Sequence, residues 1–287
     1  EPQHLVHALI NYVRSHPKAF FDTELLQVWT LGVAPYADEK FRDNFRRNSF
    51  FISSNMRDAV NRGIADYTPL FLSQVPALFH RKLVPVDVAL IQVSPPDDHG
   101  YCSFGVEVGV TKAAAQAARI VIAEVNQQMP RTLGDSFIHV SKLTHIIPVD
   151  YKLPEVQMGS TSEIAGQIAR NIAALIPDGA TLQTGIGAIP DAVLKELTSH
   201  RDLGVHTELF ADGVIDLVER GVINGERKSI HTGKILAGFV LGTQRLYSFV
   251  DDNPIIELHP SEYVNDPFVI AQNDRMVAIN SAIEIDL

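Results

Sequence analysis

The chain has 287 residues, a length that suggests two domains at roughly 100–200 residues each. Hydrophobic residues make up 46% and charged residues 20%, which supports a packed core and excludes a disordered chain. With 24 Lys and Arg against 34 Asp and Glu, the net charge is −10 and excludes the positive footprint of a nucleic-acid binder.

In chain order, residues 3–15 predict a helix that opens behind Pro2 and carries Leu5, Val6 and Leu9. Residues 86–93 predict a strand, 111–118 a helix, and 119–125 and 144–148 two more strands. The segment 149–155 lacks periodicity and is the expected linker, dividing a domain of residues 1–153 from one of residues 154–287. Residues 162–175 predict a helix with Ser162 as N-cap, Glu163 in the first turn and Pro177-Asp178-Gly179 beyond its end. Its apolar positions, Ile164, Ala165, Ile168, Ile172 and Leu175, recur at helical spacing. A further helix over 191–197 and a strand over 276–287 complete the alternation. Such alternation predicts an α/β fold with largely parallel sheets. The longest apolar run, 235–242, is far short of the ~18 residues of a membrane helix. No basic start and apolar core mark a secretory signal, so a cytoplasmic location is expected.

The two halves resemble each other. Pro2 precedes a helix with Leu5-Val6 and Leu9, and Pro190 precedes one with Val193-Leu194 and Leu197. Likewise Val88-Ala89-Leu90-Ile91 after Asp87 matches Val277-Ala278-Ile279 after Arg275. Both pairs lie at one offset, 190 − 2 = 188 and 275 − 87 = 188, which reads as a tandem duplication. The first copy continues well past its matching strand and the second stops soon after Asn280. The duplication therefore predicts protein missing at both ends and a second domain that is incomplete.

Two segments could carry chemistry. Thr184-Gly185-Ile186-Gly187-Ala188 has the form of a strand, a glycine turn and a helix start. Glycines bring backbone N–H groups close to a ligand, and a helix N-terminus adds partial positive charge for a phosphate or an oxyanion. The third glycine of a dinucleotide fingerprint is replaced by Pro190. In Gly204-Val205-His206-Thr207-Glu208-Leu209-Phe210, a strand from Gly204 places Glu208 toward its carboxyl end, where open α/β sheets bind ligands. A carboxylate there can serve as nucleophile or general base, although a solvated glutamate is the plainer reading.

The remaining candidates read as structural. His139 and His145 match no zinc spacing, and His99 lies in a turn composition, Pro-Pro-Asp-Asp-His-Gly. Cys102 is a lone buried thiol, which excludes a disulfide framework. His231-Thr232-Gly233-Lys234 ends like a phosphate loop but lacks the upstream glycine. Arg42, Arg46 and Arg47 read as a solvated or ion-paired face.

Several stretches together resemble the acetyl-CoA hydrolase/transferase family, the class I CoA-transferases of 4-hydroxybutyrate and butyrate:acetate type. They are Val93-Ser94-Pro95-Pro96-Asp97-Asp98-His99-Gly100-Tyr101-Cys102-Ser103-Phe104-Gly105, Gln183-Thr184-Gly185-Ile186-Gly187 and His206-Thr207-Glu208. Tyr263-Val264-Asn265-Asp266-Pro267 and the stretch from Ile279-Asn280-Ser281 to Leu287 follow. The resemblance implies two tandem open α/β domains and a ping-pong transfer of CoA from an acyl-CoA to a small carboxylate. Glu208 would be the nucleophile that carries CoA as a thioester. Gly185, Ile186 and Gly187 would hold the oxyanion or CoA, and Asn280 would orient Glu208 or the CoA arm. It implies no metal and no permanently bound cofactor, coenzyme A as a substrate, and a homo-oligomer without nucleic-acid or membrane partners. The family also extends before Glu1 and beyond Leu287. Two alternatives stand beside transfer: hydrolysis of an acyl-CoA by the same glutamate, and a non-catalytic acyl-CoA-binding fragment.

Overall fold

A computed structural model describes residues 2–31, 34–156, 162–185, 187–282, 284 and 286. The first half runs α1 (Gln3–Ser15), β1 (Thr23–Gln27), β2 (Phe45–Ser49), α2 (Arg57–Asn61), β3 (Asp66–Tyr67), α3 (Val75–His80) and β4 (Val88–Val93). It continues with β5 (Tyr101–Ser103), α4 (Thr111–Ala117), β6 (Ile120–Asn126), β7 (Leu133–Gly134), β8 (Phe137–His139) and β9 (His145–Val149). The second half begins with α5 (Glu163–Ala173), β10 (Thr181–Thr184), α6 (Ala188–Glu196), β11 (Gly204–Phe210), α7 (Ile215–Glu219) and β12 (Ile235–Val240). It closes with α8 (Gln244–Val250), β13 (Ile256–Leu258), α9 (Ser261–Val264), α10 (Pro267–Ile270) and β14 (Met276–Ile279).

The predicted α/β character holds. Strands β1-β2-β3 and β4-β6-β9 form two parallel three-stranded sheets, and β14-β10-β11-β12-β13-β7 forms one parallel six-stranded sheet. Strand spacings recur between the two halves. β4 and β14 begin 276 − 88 = 188 residues apart, β2 and β12 begin 235 − 45 = 190 apart, and β3 and β13 begin 256 − 66 = 190 apart. The parallel order β1-β2-β3 recurs as β11-β12-β13. The sheets are not wholly separate, because β7 from the first half pairs with β13, Leu133 opposite Glu257 and Gly134 opposite Leu258. One continuous core runs from Ala89, Ile91 and Val125 through Leu182, Val205 and Ile279.

Local sequence accounts for most elements. α1 spans the expected residues because Val6, Ile10 and Val13 form one stripe, buried with Phe41, Phe45 and Met56. At α5 the Ser162 hydroxyl caps the helix by accepting from Ala165 N at 3.2 Å, as the sequence suggests. The buried stripe, however, is Ala165, Ala169 and Ala173, while Ile164 and Leu175 are 70% and 82% exposed. Alanine lets α5 pack closely on α6, and larger side chains would hold the helices apart. Of the expected strand over 276–287, Met276–Ile279 form β14, and residues 283, 285 and 287 lie outside the described residues. Its partner β10 ends at Thr184, opposite Ile279. Arg47 corrects the reading of a solvated arginine face: it is 2% exposed and donates to the carbonyls of Tyr36, Asp38 and Ile64.

Candidate active site

The six-stranded sheet reverses its winding between β10 and β14, so the crevice at their carboxyl ends is where an open α/β sheet receives ligands. β10 and β11 pair with an offset of 204 − 181 = 23, which sets Glu208 level with Gly185, since 208 − 185 = 23. Direct ladder pairing stops after Leu182 and Val205. Beyond it the Thr207 hydroxyl spans the gap, accepting from Thr184 N at 3.2 Å and donating to Thr184 O at 3.1 Å. The strands are thus held together by one side chain just before the glycine turn and Glu208.

Each glycine has a physical reason. A Cβ on Gly185 would stand 2.8 Å from Asn280 Oδ1 and 3.2 Å from Ile279 O, while its N–H donates to Ile279 O at 2.8 Å. Gly187 has φ 122°, closed to other residues, and caps the nine-residue helix α6. Space around it is open, with nothing within 4 Å of a Cβ. Ile186 lies outside the described residues.

Glu208 is half-buried on β11, facing α9. Asn265, directly after α9, donates from Nδ2 to Glu208 Oε2 at 2.6 Å. Burial pushes the carboxyl above its usual range and the Asn265 hydrogen bond pulls it back. An ionised carboxylate accepts only, so the amide nitrogen facing it is the orientation that a charged Glu208 requires. His206, on the same strand face, fixes the other end of this contact. Its Nε2–H donates to Val264 O at 2.8 Å and its Nδ1 accepts from Asn273 Nδ2 at 3.2 Å.

The first half completes the wall. Val108 N donates to Gly238 O at 3.3 Å, and Val240 N donates to Val106 O at 2.8 Å, laying residues 106–108 along β12. Gly238 lies beside Glu208: a Cβ there would be 3.1 Å from the Glu208 carbonyl oxygen. Ser261 Oγ, at the start of α9, lies 3.0 Å from Gly109 O and 3.1 Å from Leu72 O. Both halves therefore position the residue that holds Glu208.

The structure brings Gly185, Gly187 and Glu208 to one sheet edge. Asn280 stands at that edge too, but its amide pairs with Gln183, at 2.8 and 3.2 Å, and the contact that orients Glu208 comes from Asn265. Sequence reading left Asn265 unassigned although it lies in Tyr263-Val264-Asn265-Asp266-Pro267; a short polar residue before a helix start was its only local signal. His139 contacts Ser141, His99 sits in a turn organised by Asp97, and Cys102 is buried. A separate cleft of about 430 Å³ is bordered by Arg131, Tyr247 and Asp251 and, among the described residues, does not include Gly185, Gly187, Glu208 or Asn265.

The profile of the acetyl-CoA hydrolase/transferase N-terminal domain matches residues 1–157, and that of the C-terminal domain matches residues 242–287. The chain belongs to the acetyl-CoA hydrolase/transferase family. Over all 287 residues it is 50% identical to 66% of the 4-hydroxybutyrate coenzyme A transferase of Clostridium kluyveri. It is 48% identical to the succinyl-CoA:acetate/propanoyl-CoA:succinate CoA transferase of Fasciola hepatica, covering all of this chain and 59% of that one. A crystal structure of 4-hydroxybutyrate CoA-transferase from Porphyromonas gingivalis superposes with a TM-score of 0.80 at 41% identity, over 95% of this chain and 72% of that one. The chain thus spans about three-fifths to two-thirds of the two curated family members' length. Among the described residues no helix is long and apolar enough to cross a membrane.

Proposed function

We propose that the protein to which this chain belongs transfers CoA between an acyl-CoA and a small carboxylate, with Glu208 as the covalent carrier. The observation that carries this reading is a half-buried carboxylate at the carboxyl edge of a parallel sheet, level with a glycine turn and oriented by one amide. Glu208 attacks the acyl-CoA carbonyl, the C–S bond breaks, and a mixed anhydride and CoA thiolate result. The thiolate then attacks the glutamyl carbonyl, expels the acyl group as a carboxylate and leaves a glutamyl-CoA thioester. An incoming carboxylate reverses both steps. Backbone N–H groups at Ile186 and Gly187 are the proposed oxyanion contacts, a kind of role worth about 3–4 kcal/mol per donor elsewhere. Gly185, whose own N–H is engaged by Ile279 O, is proposed to contribute close backbone approach for CoA. Asn280 is proposed to meet the CoA arm at the open end of β14. Residues 1–153 and 154–287 are the proposed repeats, in a cytoplasmic homo-oligomer that needs no permanently bound cofactor for this chemistry.

Intact-mass analysis after incubation with acyl-CoA tests the reading. A CoA adduct that maps to Glu208, disappears in Glu208→Ala and is discharged by added carboxylate supports transfer. Loss of thioester without a carboxylate acceptor indicates hydrolysis, and neither signal indicates a binding role.

A further inference from the structure

A separate cluster of ligating side chains gathers where the turn 231–234 meets the end of β13. His231 Nδ1 lies 2.7 Å from Glu257 Oε2, and His259 Nε2 lies 3.5 Å from the same oxygen. The ligand atoms of all three residues fall within 4.8 Å of one another. Glu257 and His259 are two residues apart, so the strand period turns both to one side. His231 reaches them from a tight turn in which it takes the left-handed conformation, φ 48°. That turn is closed by Lys234 N donating to His231 O at 3.0 Å and by Thr232 Oγ1 donating to Lys228 O at 3.0 Å.

We propose that His231, Glu257 and His259 form a binding site for a divalent transition-metal ion, with zinc the best match. Two imidazoles and a carboxylate are the ligand set of borderline metals, not of calcium or magnesium. Zinc bonds of about 2.0–2.1 Å in a tetrahedron place ligand atoms about 3.3 Å apart, and the observed 2.7 and 3.5 Å bracket that spacing. The outer contacts also fit. His231 Nε2 lies 2.8 Å from Tyr263 OH, the kind of second hydrogen bond that fixes a metal-bound imidazole and leaves Nδ1 as the ligand. Without metal, Nδ1–H donates to Glu257 and Nε2 accepts from Tyr263 OH; a metal on the Nδ1 lone pair requires the other tautomer, in which Nε2–H donates to Tyr263 OH.

His259 distinguishes a metal site from a simple ion pair. Its Nε2 is buried and, 3.5 Å from Glu257 Oε2, makes no hydrogen bond of good geometry among the described residues. Buried nitrogen is rarely left unmet, and an ion between the three side chains satisfies it without moving the backbone. The side chains are 21%, 23% and 17% exposed, enough for an ion to enter and for water to take the fourth position. Lys228 does not compete for the carboxylate, since its ammonium donates to Val205 O at 3.0 Å and Lys234 O at 2.8 Å. The metal would join the turn before β12 to β13 and, through Tyr263, to α9. The family resemblance implies no metal, and positions 231, 257 and 259 form no compact zinc spacing; only the fold assembles them.

The test uses the full chain without a histidine tag, stripped with a chelator, loaded with zinc and dialysed, with bound metal measured by elemental mass spectrometry. The proposal expects one zinc per chain, and cobalt in its place giving the intense visible bands of four-coordinate geometry. His231→Ala and His259→Ala should each weaken zinc binding at least roughly 100-fold against a competing chelator. Tyr263→Phe keeps all three ligands and should weaken it by about 10-fold. Circular dichroism identifies which variants are folded. A wild-type chain that retains no zinc overturns the proposal, as does a folded His259→Ala chain that binds zinc as tightly as wild type.

Discussion

Asn265→Ala isolates the hydrogen bond that, among the described residues, opposes the burial of Glu208. The bond is 2.6 Å long and runs to an ionised acceptor, a class worth about 1.5–3 kcal/mol. Its loss leaves burial unopposed, so the carboxyl moves further up and the carboxylate becomes scarcer at any given acidic pH. At 1.36 kcal/mol per tenfold, the carboxylate fraction on the acid side falls roughly 10- to 150-fold. The rate at which Glu208 captures CoA from an acyl-CoA should fall by the same factor there. It should return toward wild type as the pH rises and both proteins become fully ionised. Quenched-flow intact-mass measurement of the adduct across the acidic to alkaline range reads this directly. A wild-type rate at every pH would refute the reasoning, and so would a loss of constant size that leaves the acid limb in place. The second result would mean that Asn265 shapes the site without tuning the charge of Glu208.

Three further outcomes follow from the geometry. Gly185→Ala puts a methyl 2.8 Å from Asn280 Oδ1, and pushing the β14 end aside should cost about 1–3 kcal/mol, seen as a lower urea midpoint. Burial lowers the His206 imidazole from 6.5 to about 4, so above 6.5 folded and unfolded chains both hold it neutral. Between 6.5 and about 4 only the unfolded chain takes the proton, so stability falls with falling pH by about 3 kcal/mol in all. Urea titrations at neutral and acidic pH should show this loss, and His206→Gln should remove that share of it. Burial pushes the Cys102 thiol up to about 11, so iodoacetamide should spare it in the native protein at mildly alkaline pH and label it promptly in urea.

Helix positions and the α/β class were legible because they depend on local pattern. α1 is found at its expected residues, and the aliphatic runs 88–91 and 277–279 lie on β4 and β14. What escaped was set by tertiary partners. Ile164 and Ile168 of α5 face outward while Ala165, Ala169 and Ala173 pack close to α6, a distance no single helix encodes. Arg47 is hidden because three backbone carbonyls from separate segments converge on it. Glu208 and the glycine turn could be read from their place after strands. Asn265 could not, since its role depends on α9 being pressed onto β11 by residues of the other half.

That pressing, and the loan of β7 to the sheet edge at β13, carry an evolutionary consequence. Two halves that folded apart could each be lost, moved or joined to another protein. Because Leu133 and Gly134 close the sheet of the other half, a cut between the halves strips β13 of its outer pairing and α9 of its backing together. Each half is part of the other's scaffold. The pair is therefore inherited as a unit, and only changes that suit both halves can spread.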